Sequence, residues 1–135
     1  MSKGPEANFW NSIRQNLPKK THATRIENKH GGGVPDVHIV WDGRPFWLEL
    51  KVVKSGKPKI SPHQIAWNMG YFTRGGKCFF LVKSLSTSTI LLFEGDQGAR
   101  IMEHGLDGAN GVACRTIEEV FEALERSLAS FRAAY

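Results

Sequence analysis

Apolar residues at Phe9, Ile13 and Leu17, with Trp10 beside them, recur at helical spacing, and Pro5 suits a first helical position. Residues 5–17 are therefore expected to form a helix, ended by Pro18 and the Lys19-Lys20 pair. Residues 21–28 alternate loosely through Thr24 and Ile26 and predict a first strand that carries Arg25 and Glu27. The alternation then sharpens. Val37, Ile39 and Trp41 alternate with Asp36, His38 and Val40, and Phe46, Leu48, Leu50 and Val52 alternate with Trp47, Glu49, Lys51 and Val53. Between the two runs stands Asp42-Gly43, a strong two-residue hairpin signal.

A tight turn at Asp42-Gly43 sets Trp41 opposite Arg44, Ile39 opposite Phe46, Val37 opposite Leu48 and, one step further, Asp36 opposite Glu49. One face of the hairpin is then continuously apolar and the other carries Asp36, Glu49 and Lys51. Directly opposed Cβ atoms lie about 4.5–5.5 Å apart, close enough for two carboxylates to share a divalent ion, and repulsive without one. A plain salt-bridged strand surface accounts for Glu49 and Lys51 but leaves the opposed acids unexplained.

Ser61, Pro62 and Gln64 open a further helix as N-cap, first position and capping-box partner. Ile65, Met69 and Phe72 are its expected buried stripe; Gln64, Trp67, Asn68 and Tyr71 share another face. Residues 78–82, CFFLV, read as a central strand buried on both faces, and residues 87–93 as the next strand. Residues 94–113 are glycine-rich and expected to be loop, with a short strand near 100–103. A Thr116/Glu119 capping box starts a last helix whose stripe is Ile117, Val120, Phe121, Leu124 and Leu128. The expected fold class is α/β: a mixed central sheet flanked by helices.

Composition narrows the function. A chain of 135 residues with 41% hydrophobic content supports one domain with a real core. The net charge of +5 favours an anionic partner, nucleic acid being the commonest large one. There is no run of signal-peptide or membrane-span length, so a soluble, intracellular, cytoplasmic protein is expected. Cys78 and Cys114 are expected as free thiols, and the five histidines show no zinc spacing. The triple glycine at 31–33 is not followed by GKS or GKT, so no nucleotide cofactor is implied. With Lys29 it forms a basic loop suited to a connector or to close approach to a phosphate chain. Lys54, Lys57 and Lys59 form a second basic loop, a solvated charge run or a phosphate contact. Glu6 lies on the flank of the first helix's apolar stripe; a dipole-favoured first-turn acid and a carboxylate aimed at the protein both fit.

VPD at 34–36 and ELK at 49–51 resemble the PD-(D/E)XK nuclease signature. With Glu6 in a preceding helix and ISPHQ at 60–64, the sequence is similar to the archaeal Holliday junction resolvase and VRR-NUC branches over roughly residues 5–82. The resemblance implies a restriction-endonuclease-like core of helix, three strands, helix and strands over about 5–94, within a single nuclease domain of 1–135 that has a C-terminal extension at 95–135. It implies Mg2+ or Mn2+ held by Asp36, Glu49 and the Leu50 backbone carbonyl, with Glu6 at a second metal or its water. Lys51 would be the catalytic lysine and Gln64 the post-motif glutamine near the active site. Arg25 resembles a basic residue that meets DNA phosphate. The implied activity is structure-selective hydrolysis of DNA phosphodiesters, with a four-way or branched junction as substrate and a homodimer using Trp67, Tyr71 and the outer side of that helix as interface. A general or flap- and end-directed nuclease, and a non-catalytic DNA-binding module, are the alternatives.

Overall fold

The computed structural model describes residues 4–27 and 32–133, with side chains through residue 129. Lys29 lies outside the described residues. Helix α1 spans Pro5–Gln15, followed by strands β1 (Thr21–Arg25), β2 (Val37–Trp41) and β3 (Arg44–Val53), helix α2 (Pro62–Thr73), strands β4 (Cys78–Ser84) and β5 (Thr89–Glu94), helix α3 (Gly98–His104), strand β6 (Gly111–Cys114) and helix α4 (Ile117–Ala133). The expected order of helix, three strands, helix and strands is present, together with the C-terminal helix. None of the described helices is long and apolar enough to cross a membrane.

All six strands lie side by side in chain order. The sheet is mixed: β3 and β4 run parallel, as the crossover through α2 requires, and every other pair is antiparallel. The β2–β3 hairpin has the expected register, with Val37 opposite Leu48, Ile39 opposite Phe46 and Trp41 opposite Arg44. Asp42 and Gly43 both take positive φ, 50° and 80°, which is the primed turn geometry that matches strand twist.

Two apolar clusters sandwich the sheet. Phe9, Trp10 and Ile13 of α1 and Val120, Phe121, Leu124 and Leu128 of α4 pack on the face that carries Val37, Ile39, Phe46, Leu48, Leu50, Phe79 and Leu81. Ile60, Phe80, Val82, Phe93 and Ile101 form the second cluster on the opposite face, with Ile65 of α2 packed against it. Alternate residues of β4 serve each cluster and Cys78 through Val82 are all buried, so CFFLV is a central strand for the reason its unbroken apolarity suggests. Arg44 is 4% exposed and pairs with Glu125 of α4, with its guanidinium 5.2 Å from the Trp41 ring centre. That pairing ties the hairpin to the last helix.

Three expectations are corrected. The α2 stripe is turned: Met69 is 37% exposed and Asn68 is fully buried, because the face with Gln64, Trp67 and Asn68 is the one that lies on β3 and β4. Residues 100–103 belong to helix α3 and not to a strand, and the strand of this region is β6, which pairs with β5. Residues 94–113 are consequently not open loop but two 3-10 turns, one helix and an edge strand. Their regularity comes from packing: Gly98 approaches the Phe80 ring, and Ile101 is completely buried.

Candidate active site

Strand β3 is twice as long as β2, so its second half runs past the end of its neighbour. Along that overhang the N–H and C=O groups of Leu50 and Val52 point to an edge that β2 no longer covers. Two carboxylates fill it. Asp36, one residue before β2 begins, accepts from Leu50 N through Oδ2 at 2.8 Å, and Glu6, in the first turn of α1, accepts from Val52 N through Oε2 at 3.3 Å. The Leu50 carbonyl, on the same edge as its own N–H, lies between the two N–H groups that these acids take. Glu6 therefore does aim into the protein, and it does so by reaching around the end of β3 from the opposite sheet face.

Asp36 is placed by its neighbours. Its carbonyl accepts from Ile26 N at 2.7 Å, continuing the β1–β2 ladder by one step. Gly33 has φ +78°, and a Cβ there would meet the His63 carbonyl, so the approach to Asp36 is laid directly against the start of α2. Only glycine permits both the backbone conformation and the contact.

Glu49 and Lys51 point to the α2 side of the sheet. Glu49 is 1% exposed. Its Oε2 accepts from Gln64 Nε2 at 2.9 Å and lies 3.8 Å from Lys51 Nζ. Gln64 Oε1 accepts from Lys51 Nζ at 3.1 Å and from Ser61 N at 3.0 Å, while Ser61 Oγ accepts from Gln64 N at 3.1 Å. The two readings of Gln64 are thus not alternatives: the same carboxamide closes the capping box and bridges the acid and the lysine. Two donors on Oε1 settle which end of the amide faces Glu49. The N–H of Ser61 takes part in that choice, a role not visible in a capping pattern alone.

A groove of about 400 Å3 opens beside these groups, lined by Glu6 and Lys51 and by the loop that carries Lys54, Lys57 and Lys59. Lys54 and Lys59 are exposed, and Lys57 donates to the Glu103 carbonyl at 2.9 Å. Arg25 is not part of this arrangement. It pairs with Val37, on the sheet face that α1 covers, away from Glu49 and Lys51.

Next to Glu49 an aromatic row crosses the same face. Trp67 stacks on Tyr71 with ring centres 5.0 Å apart and meets Trp47 edge-on at 5.5 Å, and Trp47 meets His38 at 4.6 Å. Trp67 and Tyr71 are half-buried by these contacts. Burial, and secondarily His22, holds the His38 imidazole below its ordinary pKa.

The donors gathered here are all oxygen, the chemistry of a hard cation such as Mg2+ or Mn2+. Among the described residues no group of three or more His, Cys, Asp and Glu side chains converges as a metal cluster. Mg2+ does not need one, because it is commonly held by one or two carboxylates and keeps several waters. Asp36, Glu49 and the Leu50 carbonyl fit that requirement, with Glu6 across the Leu50 carbonyl from Asp36.

No protein-family model matches the chain, and no curated protein does. Among solved structures, Hjc of Archaeoglobus fulgidus, a Holliday junction resolvase from an archaeal hyperthermophile, is similar at 12% identity with a TM-score of 0.44, over 78% of this chain and 79% of that one.

Proposed function

We propose that this protein is a divalent-metal-dependent endonuclease that hydrolyses DNA phosphodiesters, with branched or four-way DNA as its substrate. The observation that carries the reading is the placement of these groups along the overhang of β3: Asp36 and Glu6 on its open edge, Glu49 and Lys51 on its face, and a basic groove alongside. Asp36, Glu49 and Lys51 are the two acids and the lysine of the PD-(D/E)XK pattern read from VPD and ELK, and the resemblance of ISPHQ and Glu6 to the resolvase and VRR-NUC branches supports a branched substrate.

Asp36, Glu49 and the Leu50 carbonyl would hold the metal, with Glu6 at a second ion or its water. A bound cation supplies Lewis-acid polarisation of a phosphoryl oxygen and a water of lowered pKa. The remaining work falls to the chain. Lys51 has three N–H donors; with one on Gln64 Oε1 and Glu49 nearby, it keeps donor capacity toward the groove it lines. There it orients the attacking water or stabilises charge developing on phosphorus. Gln64 is a positioning residue that keeps Lys51 and Glu49 in fixed relation. Lys54 and Lys59 meet phosphates outside the scissile one. The enzyme acts as a homodimer through the outer side of α2, where Met69 is exposed.

The test is cleavage of labelled four-way, flap, nicked, hairpin and linear DNA with Mg2+ or Mn2+, beside measurement of mass in solution. Four-way or branched substrates are cut in preference to linear duplex, while Asp36→Asn and Lys51→Ala bind but cut at least about 100-fold more slowly. Equal cutting of linear duplex removes the branch selectivity and leaves a general nuclease. Binding without cutting by the wild-type protein with either metal overturns the catalytic reading and leaves a DNA-binding module.

A further inference from the structure

The groove beside Glu6 and Lys51 does not end at the lysine loop. Ser55 and Lys57 belong to its wall and also to the wall of a second groove of about 540 Å3. The other walls of this second groove are Ser84 at the end of β4, Ser86 and Thr87 of the following turn, Thr89 and Leu91 of β5, Ala113 of β6, and residues 104–107 at and beyond the C-terminus of α3. Its sides are fastened by backbone: Leu85 N donates to Val53 O at 2.8 Å and Ser86 N to Lys54 O at 2.9 Å, so the strand ends and their loops lie edge to edge. Lys57 Nζ, on the Glu103 carbonyl, is held at the C-terminal end of α3, where the helix dipole favours a cation. Its charge therefore sits where the two grooves meet.

The polar part of the lining is the five serine and threonine hydroxyls, the Lys57 ammonium and His104, against the single carboxylate of Asp107; Leu91, Leu106 and Ala113 supply the apolar part. Serine, threonine and lysine side chains are what proteins set against phosphate and sugar oxygens without reading sequence. An endonuclease must also accommodate its strand on both sides of the scissile phosphate, and a groove that adjoins the one beside Glu6 and Lys51 at Ser55 and Lys57 provides one of those paths. A further groove, beside Phe9, Lys83 and Arg115, shares no lining residue with the site.

We propose that the hydroxyl-lined groove binds the sugar–phosphate backbone of DNA and leads the substrate strand away from the cleavage site past Lys57. This rests on the nuclease reading above. It gives residues 95–115, which add nothing to the candidate catalytic groups, a part in holding substrate.

The experiment uses Ser86→Glu and Thr87→Glu, both at exposed positions of a turn, with folding checked by circular dichroism. Cleavage is measured on DNA trimmed on one side of the cut, on the other, and on neither; DNA binding is followed by fluorescence anisotropy as a function of salt, on Asp36→Asn protein. Each substitution is expected to raise KM several-fold for untrimmed DNA with kcat unchanged, and to leave DNA trimmed on the groove side cleaved as by the wild type. For each duplex phosphate that the variant no longer neutralises, the fall in affinity between 50 and 200 mM salt should shrink about threefold. Unchanged KM and salt dependence in both variants overturns the groove even if the wild type cuts well. Wild-type protein that binds but never cuts refutes the nuclease reading, and the anisotropy then still decides the groove. No binding at all refutes both.

Discussion

Replacing Gln64 by alanine tests whether the carboxamide bridges the site or merely caps α2. The side chain makes three hydrogen bonds, to Lys51 Nζ, Ser61 N and Glu49 Oε2, at 3.1, 3.0 and 2.9 Å. Two have charged partners, a class contributing about 1.5–3 kcal/mol each, and the third is half of a cap contributing about 1 kcal/mol. Glu49 and Lys51 remain 3.8 Å apart and draw together when the bridge is removed, which offsets part of the cost. The net loss is about 2–3 kcal/mol, and at about 3–5 °C per kcal/mol for a domain of this size Tm falls by about 6–15 °C. Ser61→Ala removes only the bond from Gln64 N to Ser61 Oγ and is expected to cost about 1 kcal/mol. Thermal unfolding in metal-free buffer at neutral pH measures both. A double-mutant cycle of Gln64→Ala with Lys51→Met should return a coupling of about 1 kcal/mol or more. If Gln64→Ala melts no lower than Ser61→Ala and the cycle closes to zero, the bridge does not exist in solution.

Further outcomes follow from the surrounding structure. Gly32→Ala and Gly33→Ala both force alanine into a left-handed backbone, at about 1–2 kcal/mol, but only Gly33→Ala also strikes the His63 carbonyl, so its urea midpoint should fall clearly further. Burial, reinforced by Glu94 and Asp96, pushes the Cys78 thiol up to about 12, so alkylation at pH 8 should leave it unmodified in native protein and label it quickly in denaturant. The His38 pKa is lowered from 6.5 in the folded state, so the unfolded chain takes up the proton first. Stability is then full above pH 6.5 and declines as pH drops through 6.5 toward the folded value; His38→Gln should flatten that part of the denaturation–pH curve, and an unchanged slope would rule out His38 as its source.

The hairpin was legible because its information is local: Asp42-Gly43 sets a turn, and the turn sets a register that pairs Val37 with Leu48 and Ile39 with Phe46; Asp36, one residue before that ladder, was expected opposite Glu49 and instead turns its carboxylate to the Leu50 N–H on the open edge. The Ser61/Gln64 capping box was legible for the same reason, being a short-range exchange of hydrogen bonds; at the last helix Thr116 Oγ1 accepts from Glu119 N as expected, but the Glu119 carboxylate takes the N–H of Arg115. The buried face of α2 was not, because Met69 is the more hydrophobic residue and only the position of β3 and β4 beneath the helix selects Asn68 instead. Residues 98–104 form a helix through contacts with Phe80 and Ile65, which are distant in sequence. Glu6 fitted both a first-turn acid and a carboxylate aimed at the protein, and its target was not legible, since the Val52 N–H becomes available only because β2 stops short. Arg25 was assigned to phosphate by resemblance, and strand alternation turns it to the other face.

The overhang of β3 also governs how inactive forms of this protein should be made. An uncovered strand edge is a template for pairing with a strand of another molecule, and here the donors that such a strand would use, Leu50 N and Val52 N, are occupied by Asp36 and Glu6. Truncating either acid to alanine would remove a proposed metal ligand and unmask a sticky edge together, and any loss of activity would then be confounded with self-association. Asn at 36 and Gln at 6 keep an oxygen in place to accept the same N–H, and so separate the two effects.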